Sequence, residues 1–188
     1  MPANDTSAEL KAEAETVLRK LHLPATLSRH GQARVVGSVA LDLLVRRDID
    51  VHLLISSNDV MGVCDQVYRQ LLRQADIHEV RISDHRDRGG VKIGIDAYPG
   101  GAGVWAIDIW ITDRPETTGF ALVERLNREL KGEHRQAILA IKRHYHAEGK
   151  LRDGLSAQIY EAVANHGVRT VDDFERFLAR AAGKAGLI

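Results

Sequence analysis

The chain has 188 residues, 44% of them hydrophobic, which is enough to bury one core or two small subdomains packed as a single unit. Its 26 Lys and Arg residues balance its 26 Asp and Glu residues, so no overall charge attracts it to nucleic acid or to a membrane surface. Cys64 is the single cysteine, which excludes an internal disulfide and a zinc site built from several thiolates. Neither a signal-peptide pattern nor a membrane-spanning apolar run is seen, so we expect a soluble, cytoplasmic protein that does not bind membranes.

The first half of the chain alternates helical and strand patterns. Thr6 and Glu9 form a capping box, which predicts an amphipathic helix that Pro24 ends. Asn58 or Asp59 caps a later helix with one apolar face. The remaining predicted elements are a short strand over 33–37, a buried helix over 39–45, a central strand over 49–55, and a hairpin of strands over 91–95 and 104–111.

The second half of the chain is helical. The predicted helices cover 120–130, 135–148, 156–166 and a last segment opened by Thr170 and Asp173. The fold class is therefore α+β, with a mixed β-sheet and flanking helices followed by a C-terminal helical subdomain. We place the boundary between residues 1–113, which include the N-terminal helix, and residues 114–188.

Two acids begin the central strand. Asp48 and Asp50 are separated by one residue, and alternate side chains of a strand share a face, so both carboxylates point the same way. Two carboxylates a few ångströms apart repel each other unless a divalent cation lies between them. The pattern therefore predicts a metal site. Pairing of Asp48 with Arg46 or Arg47 as a solvated residue is the alternative, but it leaves Asp50 unexplained.

A glycine-serine turn precedes these acids. Nine residues separate Ser38 from Asp48, and Gly37-Ser38 lies between a predicted strand and a predicted helix. Such a turn aims backbone N–H groups and a hydroxyl at anionic phosphate. We expect the helix to return the chain so that the turn and both acids meet at one edge of the sheet. Taken alone, Gly37-Ser38 is better explained by an ordinary strand-to-helix turn, whereas the nearby Asp-x-Asp favours the phosphate-binding interpretation.

A third acid is a candidate to complete the set. Asp108 is an isolated acid in an apolar strand, and burying a lone carboxylate is costly unless something compensates it, so we assign it as a metal ligand. Asp96 on the neighbouring strand is the fallback. His52 faces the same side as Asp50, but a strand histidine is more often a hydrogen-bonded structural residue and is left out of the metal shell. Oxygen ligands without nearby cysteine or paired histidine favour Mg2+ or Mn2+ over zinc.

The combined pattern resembles a known superfamily. Gly-Ser, nine residues, Asp-x-Asp in an apolar strand and a later strand Asp are similar to the nucleotidyltransferases that share the polymerase-beta palm. The resemblance implies that residues 1–113 are a catalytic palm that transfers a nucleoside monophosphate from a nucleoside triphosphate to an acceptor hydroxyl, releasing pyrophosphate. It further implies a two-metal site held by Asp48, Asp50 and Asp108, with the phosphates at Gly37 and Ser38.

The helical half carries a narrower resemblance. It looks like the central domain of archaeal-type CCA-adding enzymes and their oligonucleotide-synthase relatives, a likeness carried by the segments 137–143, 154–163 and 173–178. The resemblance implies that residues 114–188 bind the nucleotide or substrate, with Lys142 and Ser156 meeting the triphosphate. A lysine beside an apolar helix stripe is also commonly a surface residue, which is the alternative for Lys142.

The acceptor and the alternatives stay open. A chain that ends at Ile188 is expected to lack the tail domains that hold a tRNA, so the acceptor is a small molecule, a protein side chain or an RNA end. One alternative is a nucleotide-binding sensor without turnover, suggested by Val39 and Ala40 where small and basic residues usually follow the serine. The other is an antitoxin-like module that modifies a partner protein. The oligomeric state is not indicated by the sequence.

Overall fold

The computed structural model describes residues 6–152 and 154–185. The chain divides into two compact units, Met1–Glu124 and Arg125–Ile188, so the division falls within a helix that covers Phe120–Glu129. The sequence-based boundary between residues 113 and 114 lies before this helix. The assignment of separate roles to the two parts stays a prediction.

The first unit contains a mixed sheet with flanking helices, as the α+β prediction requires. Its described strands are β1 Gly31–Val36, β2 Asp48–Ile55, β3 Arg81–His85, β4 Gly90–Gly100 and β5 Gly103–Thr112. The described helices up to the division are α1 Ser7–Lys20, α2 Leu23–Leu27, α3 Gly37–Leu41, α4 Val60–Leu71 and the start of α5, Phe120–Glu129. The strand order is β1-β2-β5-β4-β3, in which β2 and β5 run parallel and the other neighbours antiparallel.

One face of this sheet packs against helices to form the hydrophobic core. Along β2, Ile49, Val51 and Leu53 are fully buried, and the residues between them are only partly buried. Apolar residues of α1 and α4, such as Val17 and Val67, pack in the same core cluster. Because side chains alternate along a strand, the residues between the core positions of β2 lie on the opposite, more polar face.

Two local predictions are corrected by the structure, and one strand was not predicted. The helix predicted over 39–45 ends at Leu41, because Asp42 adopts a left-handed conformation with φ of 61°. Pro24 does not simply end the first helix but lies in the first turn of α2, where its missing N–H group is tolerated. The sequence pattern does not predict β3, because this strand is mostly exposed and lacks alternating apolar residues. The hairpin of β4 and β5, the strand β2 and the Asp59 cap of α4 are confirmed.

The second unit is helical, which confirms the prediction for this part of the chain. After the end of α5, its described helices are α6 Gly132–Ala147, α7 Leu155–Asn165 and α8 Val171–Ala185. The predicted capping box of α8 is present, since the Asp173 N–H donates to Thr170 Oγ1 at 3.1 Å and the Thr170 N–H donates to Asp173 Oδ2 at 3.0 Å. Within the described ranges, no helix is both long and apolar enough to cross a membrane.

Candidate functional site

Strand pairing brings two of the predicted acids side by side. Asp50 of β2 is the direct partner of Asp108 of β5 in the parallel register. Neighbouring strands lie about 4.8 Å apart, and directly paired residues point to the same face. Asp48 stands two residues before Asp50 and therefore shares this face. We call Asp48, Asp50 and Asp108 the carboxylate set.

The glycine-serine turn lies against this set. Gly37 has a φ of 61°, and a Cβ atom added to it would lie only 2.4 Å from Asp50 Oδ2. The turn can approach the carboxylate this closely because glycine has no side chain and adopts positive φ readily. Ser38 follows in the first turn of α3, which has five residues. The predicted meeting of the turn with Asp50 is therefore observed, although the connecting helix is shorter than expected.

Two cationic side chains bind the carboxylate set. Arg46 Nε and Nη2 both donate to Asp48 Oδ2, at 3.0 and 2.6 Å. Lys92 Nζ of β4 donates to Asp108 Oδ2 at 3.1 Å. Sequence reasoning weighed Arg46 as a partner of Asp48 but missed Lys92. A signal for Lys92 did exist, since it alternates with the apolar residues of a predicted hairpin strand, which places it on the polar face.

The residue opposite Asp108 explains how Lys92 reaches it. Asp108 is paired with Gly94 of β4, and Lys92 is paired with Trp110, so Lys92 lies diagonally from the acid. Diagonal neighbours on antiparallel strands are within reach of a long side chain. A Cβ atom at Gly94 would lie 3.3 Å from Asp108 Oδ1, so glycine leaves the acid room beside β4.

Asp96 is arranged differently from the carboxylate set. It forms an ion pair with Arg81 of β3 and is exposed. Because β3 and β5 flank β4 on opposite sides, this pairing directs Asp96 away from Asp108. A bulge between Ile95 and Tyr98 also interrupts the β4–β5 register at this point. The Arg81 partner and the bulge distinguish Asp96 from the carboxylate set, and its role as the fallback acid stays a prediction.

The donor set fits a divalent cation, but the side chains are turned to other partners. Among residues 6–152 and 154–185, no three His, Cys, Asp or Glu side chains gather in an arrangement suited to a metal ion. The carboxylate oxygens are nevertheless of the type that Mg2+ prefers, and they stand on one face of two adjacent strands. Arg46 and Lys92 contact Oδ2 of Asp48 and Oδ2 of Asp108, so a metal ion at these acids would compete with both cations.

Solved structures with similar folds support the sequence resemblance at the level of architecture. Cid1 poly(U) polymerase with MgGTP bound matches with a TM-score of 0.58 and 18% identity, over 75% of this chain and 44% of that chain. A cytoplasmic RNA terminal U-transferase matches with a TM-score of 0.59 and 17% identity, over 83% and 48%. Cid1 in complex with its short product ApU matches with a TM-score of 0.55 and 16% identity, over 75% and 42%. The first unit has the fold of a nucleotidyltransferase palm.

The likeness to these structures is partial in length and low in sequence identity. The chain spans less than half the length of these neighbours, and the identities establish the fold alone. No family model matches the chain. No curated protein matches it either. The narrower resemblance to archaeal-type CCA-adding enzymes stays a prediction.

His52 is a structural residue of the palm, as the sequence interpretation held. Its Nδ1 accepts a hydrogen bond from the Gly119 N–H at 2.9 Å. Burial lowers the pKa of His52 to about 4, so the ring is neutral near pH 7 and carries its proton on Nε2. The bond ties β2 to the segment that leads into α5. On the same face, Trp110 lies between the rings of His52 and His85, with centroids at 6.5 and 6.0 Å.

The helical unit holds the two residues predicted to meet the triphosphate. Lys142 of α6 has only 1% of its surface exposed, and its Nζ donates to Tyr160 Oη of α7 at 3.1 Å. The ammonium also lies 5.4 Å from the centre of the Tyr160 ring. Ser156 is partly buried in the first turn of α7. Lys142 is thus no surface residue, and its role toward a nucleotide remains a prediction.

Proposed function

We propose that the chain is a metal-dependent nucleotidyltransferase. It transfers a nucleoside monophosphate from a nucleoside triphosphate to an acceptor hydroxyl and releases pyrophosphate. The observation that carries the proposal is the pairing of Asp50 with Asp108 on adjacent parallel strands, with Asp48 on the same face and Gly37 in contact range of Asp50. This arrangement on a nucleotidyltransferase palm fold gives oxygen ligands and a phosphate-binding turn at one place.

Each residue has a stated role in this proposal. Asp48, Asp50 and Asp108 would hold Mg2+, which would lower the pKa of the acceptor hydroxyl and neutralise charge on the pyrophosphate. The N–H groups of the Gly37-Ser38 turn and the Ser38 hydroxyl orient the phosphates. The acceptor oxygen forms a bond to the α-phosphorus, the bond from that phosphorus to the bridging oxygen breaks, and the hydroxyl proton passes to solvent.

Lys142 and Ser156 are proposed as triphosphate contacts of the helical unit. A lysine ammonium is a point charge suited to a β- or γ-phosphate. For Lys142, such a contact requires exchange of its hydrogen bond to Tyr160, since the side chain is buried. Ser156 offers a hydroxyl in the first turn of α7, where N–H groups also favour anions.

The acceptor is the open part of the proposal. The neighbours include an RNA terminal U-transferase and Cid1 with an ApU product, which makes an RNA end one acceptor to test. The zero net charge of this chain gives no general attraction to RNA. A small molecule and a protein side chain are therefore tested alongside it.

One experiment tests both the activity and the acceptor. The protein is incubated with Mg2+, cell extract and each α-³²P-labelled nucleoside triphosphate in turn, and RNA, protein and small molecules are then separated. Label is expected in one of these fractions, with release of pyrophosphate, and only with the unmodified chain. A parallel sample of Asp50→Asn controls for enzymes of the extract. Equal labelling in both samples, or none in either, would refute the proposal.

A nucleotide-binding sensor is the second candidate, and one observation favours it. Asp48 and Asp108 both engage cations of the chain itself, and the described residues contain no ready three-ligand metal group. A protein without catalytic turnover would function with Arg46 and Lys92 kept on these acids. Tight binding of a labelled nucleoside triphosphate without pyrophosphate release, in the same extract, would select this candidate over the transferase.

A further inference from the structure

Two cationic side chains contact the carboxylate set. Arg46 binds Asp48, and Lys92 binds Asp108, and we call these two residues the internal cations. Arg46 offsets the negative charge of Asp48, and Lys92 offsets that of Asp108. Without such compensation, neighbouring carboxylates would repel each other across the β2–β5 pair. The charge that a metal would supply is therefore provided, in part, by the protein.

Both ion pairs are partly exposed, so a metal ion can reach the acids and replace the cations. The side chains of Arg46 and Asp48 are 39% and 20% exposed, and those of Lys92 and Asp108 are 31% and 33% exposed. Both pairs are part-buried, so hydration competes with each contact without cancelling it, and each contributes on the order of 1 kcal/mol. A divalent cation with several oxygen ligands can therefore displace them at small cost. A fully buried pair would resist such exchange.

The two internal cations also approach from two directions. Arg46 belongs to the segment that enters β2, whereas Lys92 stands on β4, beyond Asp108 as seen from β2. Because Gly94 has no side chain, nothing from the position opposite Asp108 separates the Lys92 ammonium from that acid. Both side chains are long and flexible, so they can leave the acids and still reach a ligand bound beside them.

We propose that Arg46 and Lys92 bind Asp48 and Asp108 only until a divalent cation displaces them, and that both side chains then bind the nucleotide. This inference rests on the proposed function and deepens it. When a divalent cation takes Asp48 and Asp108, the guanidinium and the ammonium are released and bind phosphate oxygens of the triphosphate. Metal binding thereby creates two of the phosphate-binding groups, and the nucleotide binds more tightly once the metal is present.

Charge balance supports this exchange. The formal charges of the three acids, Arg46 and Lys92 sum to one negative charge. Two Mg2+ ions and a fully ionised triphosphate carry equal and opposite charges, so the complete site returns to the same net charge. The metal alone leaves an excess of positive charge, which favours the anionic nucleotide. Retention of both internal cations on their acids would keep two positive charges beside the metal ions, and this repulsion favours their release.

Metal binding without nucleotide tests the first half of the proposal. Free Mn2+ is measured by electron paramagnetic resonance with the full chain and with Lys92→Met and Arg46→Met, which remove the competing charge and keep most of the side-chain length. Each variant is expected to bind Mn2+ roughly fivefold more tightly, which corresponds to removal of a competitor worth about 1 kcal/mol. Lys11→Met and Arg69→Met are matched controls, because they remove the same charges from pairs with Asp42 and Asp65.

Nucleotide binding tests the second half. At saturating Mn2+, an ATP analogue with a methylene between the α- and β-phosphates is titrated into each protein. Lys92→Met and Arg46→Met are expected to bind it at least roughly tenfold more weakly, since each loses a charge-assisted hydrogen bond. The two control variants should stay within about twofold of the parent chain. Opposite effects on the metal and on the nucleotide are the signature of exchange.

The outcomes separate this inference from the proposed function. Variants that bind Mn2+ no more tightly than the parent, while the parent binds Mn2+ and releases pyrophosphate, would overturn the exchange alone. A parent chain that neither binds Mn2+ nor releases pyrophosphate removes the proposed function and the exchange with it. If the Met variants lose their folded circular-dichroism signal, acylation of Lys92 in the parent decides the question. Mn2+ should increase labelling of Lys92, and unchanged labelling would overturn the exchange.

Discussion

Lys92 of the palm and Lys142 of the helical unit are in contrasting surroundings. The ammonium of Lys92 lies 3.1 Å from a carboxylate, and 31% of the side chain is exposed. The ammonium of Lys142 lies 3.1 Å from the Tyr160 hydroxyl, and 1% of the residue is exposed. Water can replace the partner of Lys92 as it leaves, whereas Lys142 can leave only if its surroundings rearrange. Burial therefore separates an exchangeable cation from one that supports the packing of α6 on α7.

The largest effect is expected from replacing Asp50, the acid of β2 that is paired with Asp108. Asp50→Asn should lower the rate of nucleotide transfer by on the order of a hundredfold or more, because the metal loses a carboxylate ligand. Pyrophosphate release measures this rate. Asp96→Asn is the matched control, since Asp96 pairs with Arg81 on the far side of β4, and its activity should remain near that of the parent. Equal losses in both variants would contradict the assignment.

Asp108→Asn should separate binding from chemistry. The triphosphate supplies ligands to its own ion, so nucleotide affinity should change by less than about tenfold, or roughly 1.4 kcal/mol. The transfer rate should still fall by on the order of a hundredfold, because the ion that activates the acceptor depends on protein carboxylates. Calorimetric titration and a single-turnover assay measure the two quantities. Undiminished transfer would remove Asp108 from the site.

A change of pH should act on the palm through His52. Burial lowers the pKa of this residue to about 4, below its ordinary 6.5, so between these values the unfolded chain binds a proton that the folded chain does not. The free energy of unfolding should therefore fall as the pH drops from 6.5 towards 4, by on the order of 1 kcal/mol per pH unit. Urea unfolding followed by the fluorescence of Trp105 and Trp110 reports on the palm, where both tryptophans of the chain lie.

Variants of the histidines provide the control for this pH dependence. His52→Gln keeps a carbonyl that can accept the Gly119 N–H but cannot be protonated, so its unfolding free energy should depend less on pH. His78→Gln changes an exposed residue and should keep the pH dependence of the parent. An unchanged slope in His52→Gln would show that another group titrates.

The smallest effects test the comparison between the two lysines directly. Lys142→Met should lower the free energy of unfolding by about 1–3 kcal/mol, because the buried Tyr160 hydroxyl loses a donor. Lys92→Met should change the same quantity by no more than about 1 kcal/mol, since its ion pair is open to water. Urea unfolding followed by circular dichroism measures both. The contrast fails if Lys92→Met proves the more destabilised variant.

The sequence predicted the strands of this palm better than the site they form. The β-branched and apolar residues of β2 and the alternation over 91–95 indicated the central strand and the hairpin, and the spacing of Asp48 and Asp50 indicated their shared face. The parallel pairing that sets Asp50 beside Asp108 joins distant parts of the chain, so no local pattern encodes it. Asp108 was assigned as a ligand because it is an isolated acid in an apolar strand, and the superfamily resemblance agreed with that assignment.

The missed features have a common physical cause. Lys92 was overlooked because its partner is chosen by the register of β4 on β5 and by the absence of a side chain at Gly94. The strand β3 was overlooked because an exposed edge strand needs no apolar alternation. The depth of Lys142 could not be predicted, since a lysine beside an apolar stripe has the same local pattern whether its ammonium is solvated or buried.

The turn at Gly37 has a consequence for mutational tolerance. Its φ is positive, and a Cβ atom at this position would lie 2.4 Å from Asp50 Oδ2, so every other amino acid both strains the backbone and displaces the carboxylate. In a library that samples all residues at positions 37 and 38, selection for the catalytic function should retain glycine alone at the first position. Substitutes at Ser38 face no such backbone barrier, and those that keep a hydroxyl should survive. The space available for a Cβ atom therefore makes position 37 intolerant of substitution, whereas position 38 tolerates other residues with a hydroxyl.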